Sequence, residues 1–212
     1  MTTEQDHIKT LTEIRTIMEK SSRFISLSGL SGVFAGIFAL LGAAGAFIYL
    51  NIGLFSTGYY ERGYEGSSLN IDFLTFFFVD GITVLILALT FGILFTVRNS
   101  RKKGVPIWGT MARLTIINLF LPLSIGGIFC LILLYHHLIF LIAPATLLFY
   151  GLALFNAGKY TLIEVRYLGL TEMLLGLVAC LFVGYGLLFW ALGFGVFHII
   201  YGSVMYYKYE RS

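Results

Sequence analysis

Residues 73–97 read FLTFFFVDGITVLILALTFGILFTV, with one charge, Asp80, inside and Arg98 immediately after. A helix needs about 20 apolar residues to cross the hydrocarbon of a bilayer. This run is longer than that and contains no proline. Nor does it alternate apolar and polar residues, as a membrane β-barrel strand would. A backbone in lipid must satisfy its own polar groups, and a helix does so within a single segment. The stretch therefore reads as a transmembrane helix.

Comparable runs lie on both sides of it. One precedes it at 24–50, and four follow at 114–135, 138–157, 165–183 and 187–207. The expected fold is all-α, a polytopic transmembrane bundle of six helices forming one domain over 23–212. Composition agrees, because 58% of the 212 residues are hydrophobic and 12% charged. Ordinary soluble domains are about one quarter charged. The first run starts after a charged leader and exceeds the apolar core of a signal peptide, so it reads as a span and not as a cleaved signal.

Basic residues set the expected orientation. The net charge of +3 says little, but thirteen of the fourteen Lys and Arg residues fall on one side of a six-span arrangement. They are Lys9, Arg15, Lys20 and Arg23, then Arg98, Arg101, Lys102, Lys103 and Arg113, then Lys159 and Arg166, then Lys208 and Arg211. Arg62 alone is opposite. Cytoplasmic loops are enriched in such residues, which places both termini in the cytoplasm. The leader, 1–22, repeats Ile8, Leu11, Ile14, Ile17 and Met18 at helical spacing among charges. It reads as an amphipathic helix on the membrane surface, with docking of a soluble partner as the alternative. Tyr59, Tyr60 and Tyr64 lie in the outer connection at 51–72 and read as an interfacial aromatic belt, with a ligand-contacting lid as the alternative.

Spaced signals suggest three parallel-related hairpins. Phe91-Gly92, Tyr150-Gly151 and Tyr201-Gly202 each precede a basic residue at the end of a second helix. Ser28, Gly32 and Gly36 form a small-residue series in the first span, of the kind that lets helices approach closely where water gives no driving force. Packing within the chain is the first reading of that series, and homo-oligomerisation the second.

Charge inside a membrane costs about 2.5–3.5 kcal/mol on insertion scales, which makes Asp80, Glu172 and His198 the candidate intramembrane polar site. Glu172 and His198 fall on the last two spans at similar depth. They read as a polar clamp between helices or as a proton-responsive pair. Asn118 and Asn156 read as interhelical hydrogen-bonding groups, and Pro122 and Pro144 as kink sites. His136 and His137 are adjacent and point in different directions, which makes them poor co-ligands. No metal or cofactor is expected. Cys130 and Cys180 sit in apolar runs and read as small buried hydrophobes. The usual hydrolase, zincin and phosphate-loop motifs are absent, so no catalytic residue is assigned. The short basic loops are explained by topology and not by nucleic-acid binding.

The segments Gly-Leu-Thr-Glu-Met-Leu-Leu-Gly at 169–176 and Gly-Phe-Gly-Val-Phe-His-Ile-Ile-Tyr-Gly at 193–202 resemble an uncharacterised, conserved family of bacterial six-helix inner-membrane proteins. The general hairpin plan is distantly similar to the acid-resistance membrane protein family. The resemblance implies a bacterial inner-membrane location and carries over no site residue. The leading expectation is a non-enzymatic protein acting through helix packing or assembly, with membrane lipids and a second copy of the chain as partners. The alternative is a transporter or channel for a small solute, ion or lipid that uses Glu172 and His198.

Overall fold

The computed structural model describes residues 27–211, so the leader at 1–22 and Arg23 lie outside the described residues. Among those described, the chain forms six long helices. They are α1 Gly29–Leu50, α2 Ile71–Lys103, α3 Thr110–Tyr135, α4 Ile142–Ala157, α5 Ile163–Leu181 and α6 Gly186–Tyr209. One 3-10 turn, Ile139–Leu141, leads into α4. Strands β1 Tyr64–Glu65 and β2 Ser68–Leu69 make a small antiparallel hairpin in the loop between α1 and α2.

Five of these segments are long and apolar enough to cross a membrane: α1, α2, α3, α6, and α4 with its leading turn. Helix α5 has 19 residues, about 28 Å of helix, but carries Glu164, Arg166 and Glu172. Each span expected from the sequence has a helix, and the differences lie at the ends. The second runs on to Lys103 instead of stopping at Val97. Its 33 residues extend about 50 Å, beyond the roughly 30 Å hydrocarbon core. Arg101, Lys102 and Lys103 continue it because they are good helix formers and their charge suits a helix C-terminus. Gly104 ends it in the left-handed region at φ 63°. At its start the Asn70 side chain accepts the Phe73 N–H at 3.0 Å, an N-cap.

The helices pack in an open ring. Helix α2 lies on α1, α1 on α6, α6 against α4 and α5, α5 on α4, and α4 on α3. A cleft separates α2 from α3. Phenylalanines fill the α1–α2 contact, where Phe34 stacks on Phe95 at 4.9 Å and on Phe91 at 5.5 Å. Glycines make the other contacts. A Cβ on Gly36 would stand 2.6 Å from the Gly195 carbonyl, and one on Gly202 would stand 2.6 Å from Val33 N. Between α4 and α5, a Cβ on Gly151 would meet the Gly169 carbonyl at 2.7 Å. Such backbone contact supplies the dispersion that holds helices together in lipid.

The α5–α6 turn is Phe182–Tyr185, with Gly184 at φ 108°. Although joined by this turn, α6 makes its main contact along α1. Pro144 sits in the first turn of α4, where a missing N–H costs nothing. Asn118 hydrogen-bonds the Leu114 carbonyl of its own helix at 2.9 Å, and Asn156 accepts from nearby Lys159 at 3.2 Å. Both bonds are local and not interhelical, because each side chain reaches backbone or a neighbour one turn away before it reaches another helix.

Candidate functional site

Glu172 is a fully buried carboxyl. It is on α5 with no solvent exposure, nine residues from the start of that helix at Ile163. Its Oε1 lies 3.4 Å from Nδ1 of His198 on α6. His198 is 5% exposed. Counting from the basic ends of α5 and α6, the two residues lie about 14 and 16 Å deep, so antiparallel helices bring them level.

His198 Nδ1 is 3.0 Å from the Gly193 carbonyl, and Nε2 is 2.7 Å from the Tyr150 hydroxyl. A carbonyl can only accept, so Nδ1 carries the proton. In the neutral ring Nε2 then accepts from the Tyr150 O–H. That arrangement spends the histidine's hydrogen bonds on Gly193 and Tyr150. Both Glu172 oxygens are left buried without a hydrogen-bond partner among the described residues.

Local backbone structure makes room for this centre. Residues Ala191–Phe197 of α6 are π-helical, a form that appears mainly as short interruptions, often at functional sites. The His198 backbone N–H bonds the Gly195 carbonyl, and the Gly193 carbonyl accepts from the imidazole. Gly193 is also the notch for the carboxyl, because a Cβ there would run into Glu172 Oε2 and Leu147. Phe194 stacks on the imidazole, 6.0 Å between centroids.

Tyr150 and Gly193 were missed as site residues. Tyr150 stood out only as half of an aromatic-Gly pair. Its usable signal was a tyrosine in mid-span, far from the interfaces where tyrosine normally sits.

Asp80 belongs to a different place. It lines the α2–α3 cleft and faces α1, where a Cβ on Gly42 would stand 3.2 and 3.3 Å from its carboxylate oxygens. No hydrogen bond or ion pair engages it among the described residues. The small-residue series is likewise accounted for inside the chain. Gly32 and Gly36 face α6, at Gly202 and at Gly195. Ser28 donates to Glu210 at 2.9 Å, and the Gly29 N–H donates to the same carboxylate. Glu210 thus caps α1, with its negative charge at the helix N-terminus.

The loop between α1 and α2 is ordered against the α3–α4 turn. The Arg62 guanidinium donates to the Leu50 carbonyl, and the Tyr64 hydroxyl donates to the His137 carbonyl. Burial pushes the Tyr59 hydroxyl up to about 12, partly offset by its contact with the Leu187 backbone. At the opposite end Glu164 binds Lys208 at 2.6 Å and Tyr209 at 3.1 Å, which ties α5 to α6. Among the described residues, no three His, Cys, Asp or Glu side chains converge to hold a metal ion.

Fold and site define a multi-pass α-helical membrane protein with a polar centre among α4, α5 and α6. Compared with family models, curated proteins and solved structures, the chain has no match.

Proposed function

We propose that this chain is a bacterial inner-membrane carrier for a small solute, with both termini cytoplasmic and with Glu172 and His198 changing protonation state during its cycle. The observation that carries this reading is the buried Glu172 carboxyl with neither oxygen hydrogen-bonded. A structural clamp would satisfy its buried acceptors, whereas this one holds a carboxyl beside an imidazole whose own bonds go elsewhere. Orientation rests on the one-sided basic residues, and the bacterial location on the family resemblance.

The coupling follows from the geometry. With both groups neutral, Nδ1–H stays on the Gly193 carbonyl. Nδ1 already carries a proton, so a second enters at Nε2, where the Tyr150 hydroxyl turns from donor to acceptor. Once Glu172 has released its own proton, the carboxylate and the imidazolium form an ion pair across 3.4 Å. Its attraction in a low-dielectric interior pulls Nδ1–H toward the carboxylate. Gly193 then loses its bond inside the π-helical stretch, the segment of α6 best able to change register.

The assembly reading drew on Ser28, Gly32 and Gly36, and those residues are occupied by α6 and Glu210 of the same chain. A homo-oligomer would need another face.

The test is uptake into proteoliposomes loaded with a pH-sensitive dye, across a panel of amines, amino acids and sugars. Solute-dependent proton movement is expected in the wild type. It should fall at least about tenfold in Glu172→Gln, equivalent to about 1.4 kcal/mol, with folding retained. Equal proton movement in wild type and variant would overturn the reading, as would no response to any solute.

A further inference from the structure

The cleft between α2 and α3 takes no part in the Glu172–His198 centre. It has a volume of about 540 Å³, within the range of drug-sized ligand pockets. Phe73, Phe77 and Phe78 of α2 line it, with Tyr59 and Trp190 from elsewhere in the fold. Asp80 is the one carboxylate among the lining residues. It lies nine residues into α2, about 14 Å from the helix start. A lipid headgroup stays near the interface, so this depth favours a ligand that is itself apolar.

Three features converge on one ligand chemistry. The walls are apolar and aromatic, and they suit a hydrophobic body. Aromatic faces attract cations, more strongly when water is excluded. The carboxylate has no hydrogen-bond or ion-pair partner among the described residues, and a carboxylate within a membrane calls for a counter-charge. We propose that the cleft binds lipophilic organic cations, with Asp80 as the counter-ion and the surrounding phenylalanines and Trp190 as the apolar cradle. This deepens the carrier reading, and rests on it, by naming the class of solute.

Two glycines give a clean way to block the cleft. Gly81 on α2 and Gly127 on α3 both line it, and a Cβ on either meets nothing within 4 Å among the described residues. A larger side chain at either position therefore starts in open space and narrows the cleft.

The test is equilibrium binding of radiolabelled tetraphenylphosphonium to the full chain in lipid nanodiscs, with empty nanodiscs subtracted. Tetraphenylborate, of the same shape and opposite charge, is titrated separately as the radiolabelled anion, because the two ions pair when mixed. Saturable binding of the cation is expected in the wild type, and none of the anion. Asp80→Asn and Gly81→Leu should weaken binding at least about tenfold, while Asp80→Glu stays within a few-fold of wild type. Absence of saturable cation binding, equal affinity in Asp80→Asn, or equal saturable binding of the anion would overturn the proposal. Glu172→Gln should bind like the wild type, which separates the two readings. Cation binding without proton movement removes the carrier and leaves the cleft site. Proton movement with another solute, and no cation binding, does the reverse.

Discussion

A methyl group on Gly193 would run into Glu172 Oε2 and Leu147 Cδ2. Overpacking of this kind costs about 1–3 kcal/mol. Gly193→Ala should therefore lower thermal stability in detergent by roughly 2–4 °C per kcal/mol. Adding Glu172→Ala removes one of the two clashes, so the double variant should recover part of the loss, and a double-mutant cycle reads that coupling directly. Strictly additive effects would mean that Gly193 does not hold the notch for the carboxyl. At this scale the sequence was partly legible. Glu172, His198 and Asp80 could be picked out because charge in an apolar run is expensive and conspicuous. Tyr150 carried only the weaker signal of a tyrosine in mid-span, and Gly193 carried none, because glycine is common in membrane helices and its role depends on what faces it.

Helix boundaries were legible to within a few residues because hydrocarbon thickness and apolar run length are the same constraint. They failed where helix propensity outlasts hydrophobicity, as at Arg98–Lys103 of α2. Glycine roles were harder to read. Gly32 and Gly92 each sit in an apolar helix, yet a Cβ on Gly32 would stand 3.2 Å from Gly202 Cα, while one on Gly92 meets nothing within 4 Å among the described residues. Gly32→Leu should disrupt the α1–α6 contact and with it folding, whereas Gly92→Leu should leave melting temperature and expression near wild type. Fluorescence-detected size exclusion separates the two outcomes, and a well-folded Gly32→Leu protein would count against the described packing. The three aromatic-Gly pairs divide in the same way. Gly151 packs on α5 and Gly202 on α1, while Gly92 meets no other helix among the described residues.

For the molecule as a whole, orientation is an expectation of charge. Cysteines placed at position 62 and at position 211, in a Cys130→Ser/Cys180→Ser background, should label differently with an impermeant maleimide in intact cells. Position 62 should react and position 211 should not, and the opposite pattern would reverse the topology. The all-helical, multi-pass class follows from the chain alone, since it depends on the solvent a segment can tolerate, and that is a local property of hydrophobicity. Which helices touch does not follow from it. Lipid-facing and helix-facing surfaces are equally apolar, so hydrophobic pattern cannot tell one neighbour from another. The pairing of α6 with α1, the Glu210 cap on α1, the meeting of Glu172 with His198 and Tyr150, and the separation of Asp80 into its own cleft were settled by backbone approach at glycines, a matter of three-dimensional fit between segments far apart in sequence.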